Sequence, residues 1–236
     1  FSLLLNRREI MQKKASYLNR MGDLIKPLLN RSGMIIDSPF EYLASKKKLM
    51  IVGYNPGNVP DDNKTTIDED WLRHINNENF NALNESWGAY LPGDHPIQIF
   101  YQRLIDNTHL TEADVLYTNL YWERSNGIKD LEIDPILEKQ CKDGFLLNIE
   151  THQPECICFI GHSTQESVSK EWASVSLGCG EINYPWGDSQ VIKFHRMKFN
   201  NHRVATFSIP HQSRFGIGYD QERLESVTNA LDRCLN

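Results

Sequence analysis

Three side chains that could hydrogen-bond a small ligand come at or just after short apolar runs of strand length. They are Asn55 after residues 49–52, Asn119 within residues 115–122 and His211 after residues 203–209. Amides and imidazoles both donate and accept hydrogen bonds, so this set suits the recognition of a polar ring or the stabilisation of a leaving group. The carboxyl ends of parallel strands share one edge of a sheet, where ligands bind. We therefore expect the three side chains to line one pocket.

The first of these side chains lies in a turn of unusual composition, Gly53-Tyr54-Asn55-Pro56-Gly57. Gly53 is compatible with backbone dihedrals closed to other residues, Pro56 fixes its own φ and lacks an N–H, and Gly57 lets a ligand approach the backbone. This composition predicts a rigid ligand-binding turn. An ordinary connection between a strand and a loop remains the alternative.

Apolar periodicity along the chain predicts alternating helices and strands. Helices are expected over residues 1–30, 71–75, 98–107, 135–151, 164–172 and 221–235, and strands over 49–52, 115–122, 156–160, 191–198 and 203–209. Residues 178–187 are rich in turn-forming residues and predict a loop. The alternation predicts an α/β fold with three α/β/α layers, in which a mostly parallel central sheet has about four or five strands.

The predicted organisation is an N-terminal helical extension, residues 1–44, packed on a main domain of residues 45–236. Residues 58–94 form a long polar excursion after the first strand, and loops of that length are usually functional or mobile. With 40% apolar and 24% charged residues, the composition is that of a soluble globule. We expect a monomer in the cytoplasm.

The charge is unevenly distributed along the sequence. Residues 61–94 contain eight acidic and two basic side chains, a net charge of −6 that equals the charge of the whole chain. Residues 189–219 contain five basic side chains and no acidic one. This pattern is compatible with a polyanionic partner, although a solvated hairpin would show it as well.

Other chemistries find little support in the sequence. The five cysteines form no pair of CxxC motifs, which favours free thiols over a zinc or iron–sulfur site, and we expect no metal or cofactor. His162-Ser163 lacks the GxSxG pattern of a serine hydrolase. No apolar run approaches the roughly 20 residues of a membrane span, so no membrane partner is expected.

The three polar segments resemble motifs of the uracil-DNA glycosylase superfamily. Residues 53–57 resemble its first motif, most closely the GxNPG form of the mismatch-specific uracil/thymine branch. Thr118-Asn119 is similar to the strand-borne asparagine that recognises uracil in several branches. Residues 210–216 resemble the second motif, commonly HPSP followed by a wedge residue. Order and spacing agree over roughly residues 45–236.

The resemblance implies a DNA glycosylase that hydrolyses the N-glycosidic bond of uracil or of a related damaged pyrimidine. Asn55 and His211 are then the catalytic residues: Asn55 holds the attacking water, and His211 donates an N–H to the uracil O2. Asn119 recognises the uracil N3–H and O4. The other substrate-binding residues that the motifs imply are Gly53, Tyr54, Pro56, Gly57 and Ser213.

The same resemblance implies DNA as the partner, with residues that contact it outside the pocket. Arg214 or Phe215 is the wedge that fills the space left by the flipped base. The basic residues Lys193, Arg196 and Lys198 are expected to contact phosphates. Four aromatic residues compete for the platform on which uracil stacks: Tyr54, Phe80, Trp87 and Tyr90.

A second hypothesis is a protein of the glycosylase fold that does not cleave DNA and binds a nucleotide or a protein partner through the same pocket. The acidity of residues 58–94 favours this alternative. The three polar residues at the strand ends and the basic residues of the C-terminal third favour the glycosylase.

Overall fold

A six-stranded sheet lies at the centre of the chain. The computed structural model describes residues 2–236 except 37, 58–63, 78–79, 88, 184–190 and 212–218, and at 2–8 and 40 it describes the backbone alone. The strands are β1 (Leu49–Gly53), β2 (Val115–Asn119), β3 (Cys156–Ile160), β4 (Val175–Asn183), β5 (Val191–Phe199) and β6 (His202–Ile209). Their spatial order is β2-β1-β3-β6-β5-β4. The first four strands of that order are parallel, and β5 and β4 complete the sheet as antiparallel strands.

Helices contribute to a hydrophobic core on each face of this sheet. They are α1 (Ser2–Ile25), α2 (Ile67–Asn76), α3 (Pro96–Asp106), α4 (Pro135–His152), α5 (His162–Ser167), continued by a π-helical turn (Val168–Trp172), and α6 (Gln221–Leu235). Met50 and Val52 of β1 belong to a first core together with residues of α1 and α4. Leu49 and Ile51 belong to a second core together with residues of α3 and α6. The parallel strands are therefore buried on both faces, which explains their uninterrupted apolar runs.

The α/β class and the mostly parallel sheet are confirmed, but the predicted number of strands is wrong. The sheet has six strands rather than four or five, because the segment expected to be a turn-rich loop forms most of β4. Gly178 and Gly180 flank an irregularity in the pairing of β4 with β5. Glycines in a strand often mark a bulge of this kind, so their presence was misinterpreted as a turn.

Helix α1 is built into the first core. Tyr17 and Met21 are buried with Met50 of β1. The Tyr17 hydroxyl donates a hydrogen bond of 2.8 Å to Oδ1 of Asn148 on α4. The residues predicted to be an N-terminal extension thus contribute directly to one face of the sheet.

Part of the acidic excursion has a local structural role. Helix α2 begins with a capping box in which Thr66 and Glu69 bond each other's backbone N–H groups. Asp68, Glu69 and Asp70 lie in its first turn, where negative charge is favoured by the helix dipole. The buried Asp70 carboxylate also accepts the backbone N–H of Ile35 at 3.1 Å. Acidity in this stretch therefore stabilises a helix.

None of the helices that the structure describes combines the length and the apolar character needed to cross a lipid bilayer.

Candidate active site at the carboxyl ends of the parallel strands

The three predicted polar residues lie at one edge of the sheet. Asn119 is the last residue of β2, Asn55 comes two residues after β1, and His211 comes two residues after β6. Because β3 lies between β1 and β6, these two strands are about 10 Å apart, twice the usual spacing between neighbouring strands. This edge is where open parallel sheets bind ligands.

Asn119 lies closely against β1. The two strands pair in register, with Gly53 opposite Asn119. A Cβ atom at position 53 would come 2.4 Å from Oδ1 of Asn119, so any side chain there would collide with the amide. Gly53 does not have a positive φ. The glycine is therefore required by the close approach of Asn119. The unusual backbone dihedral expected from the sequence is not the reason.

Asn55 is held by its amide nitrogen. Nδ2 donates to the carbonyl oxygens of Pro56 at 3.0 Å and Glu123 at 3.2 Å, and to Oγ of Ser125 at 2.9 Å. Because two of these acceptors are carbonyls, the orientation of the amide is fixed. Within the described part of the chain, no protein donor bonds Oδ1 of this half-buried residue. Oδ1 is also not among the buried atoms that lack a partner, so it is not sealed from solvent. The side chain is thus anchored with its acceptor oxygen available to a water molecule.

The rest of the Gly53–Gly57 turn is bound to the segment after β2. The N–H of Ser125 bonds the carbonyl of buried Pro56, and Nη1 of Arg124 donates to the carbonyl of exposed Gly57 at 3.0 Å. Among the described residues, a Cβ at Gly57 would meet nothing within 4 Å, so none of them blocks the approach of a group to its backbone. The turn is therefore rigid on one side and accessible at its end.

The four aromatic candidates for stacking on a base differ in environment. Tyr54 is half-buried, its ring centroid lies 5.2 Å from that of Tyr121, and burial raises its hydroxyl pKa. Phe80 is buried against His74, and the indole of Trp87 donates to the carbonyl of Ala82. Tyr90 is the most accessible, with 46% of its surface exposed. The choice among them stays open.

His211 is exposed at the end of β6. Ser213, Arg214 and Phe215, which the resemblance implies as substrate-binding and wedge residues, lie outside the residues that the structure describes. His211 is therefore placed by its strand, and its neighbours in the loop stay predictions.

The three basic residues of β5 do not form one surface. Side chains alternate between the two faces of a strand. Lys193 therefore projects to the face of the first core, whereas Arg196 and Lys198 both project to the face of the second core. Lys193 pairs in register with Ser208 near the carboxyl edge, whereas Lys198 pairs with Arg203 toward the opposite edge. Lys193 alone of the three is placed near the candidate site, and its ammonium lies 3.4 Å from Glu166.

His162 is a further candidate that the sequence motifs did not indicate. It follows β3 at the same edge, and β3 lies between β1, which precedes Asn55, and β6, which precedes His211. Nδ1 of His162 lies 2.7 Å from Oγ of Ser208. Burial, together with the charge of Lys193, lowers the pKa of His162, so the imidazole is neutral near pH 7. The sequence signal for His162 is its position just after a predicted strand, which Asn55 and His211 share.

Two cavities in the described parts of the chain lie away from this edge. One, of about 270 Å³, is lined by Asn107 and residues of α6. Another, of about 250 Å³, lies between α1 and the end of α4. The described residues contain no group of three or more histidine, cysteine, aspartate or glutamate side chains placed to hold a metal ion. The strand-end residues therefore remain the best candidate site on chemical grounds.

Comparison with known proteins adds no assignment: the chain matches no protein-family model and has no significant match among curated proteins. Any functional argument thus depends on the site itself and on the motif resemblance.

Proposed function

We propose that this protein is a DNA glycosylase that hydrolyses the N-glycosidic bond of uracil, or of a related damaged pyrimidine, in DNA. The observation that carries the proposal is the Gly53–Asn119 contact beside the anchored Asn55. It brings a recognition amide at the end of β2 next to the turn after β1, which contains the water-holding amide. His211 follows a third strand at the same edge. The reaction needs only water as co-substrate, so no cofactor is proposed.

Asn119 has the chemistry to distinguish uracil from cytosine. A side-chain amide can accept the uracil N3–H and donate to O4, whereas cytosine presents the opposite pattern at these positions. The amide is 7% exposed and confined by Gly53, so it has little freedom to adapt to a different edge. Such a buried polar group discriminates strongly, because a mismatched base would leave it unpaired.

His211 is proposed to stabilise the leaving group. When the C1′–N1 bond breaks, its electron pair leaves with uracil, and negative charge develops on O2. An N–H from a neutral imidazole interacts more strongly with that charge than with the ground-state carbonyl, and so lowers the barrier. The attacking water bonds C1′ and loses a proton to solvent, and the uracil anion later takes one up.

Asn55 is proposed to position the attacking water. Its Nδ2 is committed to Pro56, Glu123 and Ser125, which leaves Oδ1 as the acceptor for a water O–H. An amide is not basic enough to remove the proton at neutral pH. We therefore propose a slow enzyme whose catalysis comes mainly from leaving-group stabilisation.

One observation favours the second candidate, a protein of this fold that binds a nucleotide or a protein without cleaving DNA. A continuous basic surface is the usual electrostatic footprint of a DNA-binding protein. Lys193 and Lys198 instead lie on opposite faces and toward opposite edges of the sheet, so β5 offers at most one cation to DNA beside the site.

Cleavage of an oligonucleotide with one deoxyuridine tests the proposal directly. The expected result is an abasic product, detected as alkali-labile strand breakage, from single-stranded or double-stranded substrate. A cytosine-containing oligonucleotide of otherwise identical sequence should not be cut. Absence of cleavage from both uracil substrates by a folded protein would contradict the glycosylase and favour the binding protein.

A further inference from the structure

A hydrogen-bonded chain of polar side chains crosses β6 just before the loop that contains His211. Thr206, Ser208 and Gln165 are each at most 1% exposed, although the surrounding sheet is apolar. Gln165 Nε2 donates to Oγ1 of Thr206 at 3.1 Å, and Ser208 Oγ donates to Oε1 of Gln165 at 2.8 Å. His162 Nδ1 completes the chain at Ser208. We call these four residues the β6 clamp.

One backbone carbonyl, that of His195, fixes the direction of the first hydrogen bond in the clamp, and the directions of the others follow from it. Thr206 Oγ1 donates to the carbonyl of His195 at 3.3 Å, so it must accept from Gln165 Nε2. The amide oxygen of Gln165 is then an acceptor, and Ser208 must donate to it. Ser208 Oγ can therefore only accept from the imidazole. His162 must hold a proton on Nδ1.

The clamp ties the ends of β3 and β6 together next to His211. The backbone N–H of Gly161, the residue before His162, donates at 2.8 Å to the carbonyl of Ile209, the residue after Ser208. Only Pro210, whose φ is fixed, separates Ile209 from His211. These two hydrogen bonds, together with the pairing of Ile209 with Ile160, hold the end of β6 from which His211 follows.

We propose that His162 is a positioning residue for His211, acting through the hydrogen bond from its Nδ1 to Ser208. The inference deepens the proposed function, since its catalytic consequence rests on His211 being the leaving-group donor. A displacement of about 1 Å at a catalytic group can cost roughly 100-fold in rate. Through Ser208, His162 is well placed to prevent such a displacement.

Two substitutions of His162 separate positioning from bulk. In His162→Asn the amide nitrogen takes the place of Nδ1 and still donates to Ser208. In His162→Gln the amide lies near the former Nε2, and the donor to Ser208 is lost. Ser208→Ala removes the acceptor with minimal change in volume, and Ser208→Thr restores a hydroxyl. His109→Gln, at an exposed position outside the clamp, is the control for an unrelated histidine.

The first measurement does not depend on activity. The ring resonances of His211 are assigned by their loss in His211→Gln and followed in ¹H–¹³C spectra. His162→Gln and Ser208→Ala should shift or broaden them, while His162→Asn, Ser208→Thr and His109→Gln should leave them in place. Unchanged His211 resonances in both His162→Gln and Ser208→Ala would overturn the positioning role, whether or not the wild type cleaves uracil.

The second measurement is single-turnover cleavage of the deoxyuridine oligonucleotide. We expect His162→Gln and Ser208→Ala to slow the chemical step by about 10- to 100-fold with unchanged affinity for abasic DNA, and His162→Asn to stay within about threefold of wild type. Equal loss in His162→Asn and His162→Gln would contradict positioning through Ser208. An inactive wild type whose His211 resonances still respond to the clamp would refute the glycosylase and leave the positioning role standing.

Discussion

The amide oxygen of Asn119 lies over the Cα of Gly53, so closely that a Cβ there would be 2.4 Å away. This contact joins the first residue of the GYNPG turn to the last residue of the neighbouring strand. It explains why the turn begins with glycine even though its φ is not positive. The two segments therefore constrain each other's sequence at the site.

Gly53→Ala should damage both stability and recognition. The added methyl must displace the Asn119 amide or separate β1 from β2, and overpacking of this kind costs about 1–3 kcal/mol. We expect a lower midpoint of urea unfolding and a reduced preference for uracil over cytosine. Gly57→Ala is the matched control for stability, because its Cβ would meet none of the described residues within 4 Å. Equal unfolding midpoints for the two variants would show that the contact with Asn119 is not tight.

Asn55→Asp should not produce a more active enzyme, although a carboxylate is the better base. The new oxygen would face the carbonyls of Pro56 and Glu123 that now accept from Nδ2. This repulsion disfavours the charged form in the folded state and raises the carboxyl pKa above its ordinary value of about 3.9. Stability relative to wild type should therefore be lost as pH rises above that value.

Urea unfolding of Asn55→Asp and wild type at pH 4 and pH 7 measures this effect. The difference in unfolding free energy should be larger at pH 7, by about 1 kcal/mol, the lower end of the cost of an unsatisfied buried group, because residue 55 is only half-buried. Single-turnover cleavage at both pH values reports the activity. A variant as stable as wild type at pH 7 and faster in cleavage would mean that the amide is not held as the structure shows.

His211→Ala tests the leaving-group role. Loss of one donor to a developing anion costs about 2.7–4 kcal/mol, or roughly 10²–10³ in rate. Binding to abasic product should be nearly unchanged, since the departed uracil no longer needs the donor. Arg214→Ala should show the opposite pattern if Arg214 is the wedge, with weaker product retention. A His211→Ala enzyme as fast as wild type would exclude the role.

The parallel part of the fold follows from the sequence because its strands are buried on both faces. Leu49–Val52 and Cys156–Ile160 are continuous apolar runs, and both form strands. Strand β4 was not predictable in the same way, because it is a mostly exposed edge strand with Gly178 and Gly180 in it. An edge strand needs no apolar pattern, since its residues are not enclosed.

The site was predictable to a similar degree. Side chains at strand ends could be located, because parallel strands bring their carboxyl ends to one edge. The reason for Gly53 and the role of His162 depend on contacts between strands that are distant in sequence, Gly53 with Asn119 and His162 with Ser208. No local pattern encodes such pairs. The dispersal of Lys193 and Lys198 over two faces, by contrast, is local, because side chains alternate along a strand and these two are five residues apart.

His152 should make the protein sensitive to acid. Its Nδ1 is bonded to the carbonyl of Asn148 and its Nε2 to the N–H of Ala44, so the fully buried ring has no site for a second proton. Burial lowers its pKa from 6.5 to about 3. Between these values the unfolded chain binds a proton that the folded protein does not. Stability is therefore complete above about pH 6.5 and falls as pH decreases toward 3.

Unfolding free energies measured from pH 7 to pH 5 test this dependence. We expect a decrease on the order of 1–2 kcal/mol over that interval, since one pKa unit corresponds to about 1.4 kcal/mol. Burial also lowers the pKa of His95, His162 and His195, and these add to the decrease with the same sign. His152→Gln should flatten the profile, whereas His109→Gln, at an exposed position, should preserve it. Parallel profiles for wild type and His152→Gln would contradict the assignment.

The basic residues of β5 should contribute unequally to DNA binding. Lys193 lies opposite Ser208 at the edge that contains the candidate site. Lys198 is five residues further along the strand, about 17 Å away, on the other face and opposite Arg203. Each phosphate contact contributes a slope of about −0.9 to the dependence of log affinity on log salt concentration. Lys193→Gln should therefore make the slope shallower by about 0.9, and Lys198→Gln should leave it unchanged.

Titrations of an abasic oligonucleotide between about 50 and 200 mM salt give both slopes, and abasic DNA avoids turnover during the measurement. The two variants remove the same charge, so any difference between them reports position rather than net charge.

Because Lys193 is also paired with Glu166 at 3.4 Å, Glu166→Gln should strengthen binding by releasing the ammonium to phosphate. An equal decrease in slope in both lysine variants would contradict their placement on opposite faces of the sheet, and slopes equal to that of wild type in both would mean that neither lysine contacts phosphate. A salt-independent affinity in all of them would point instead to a partner that is not a polyanion.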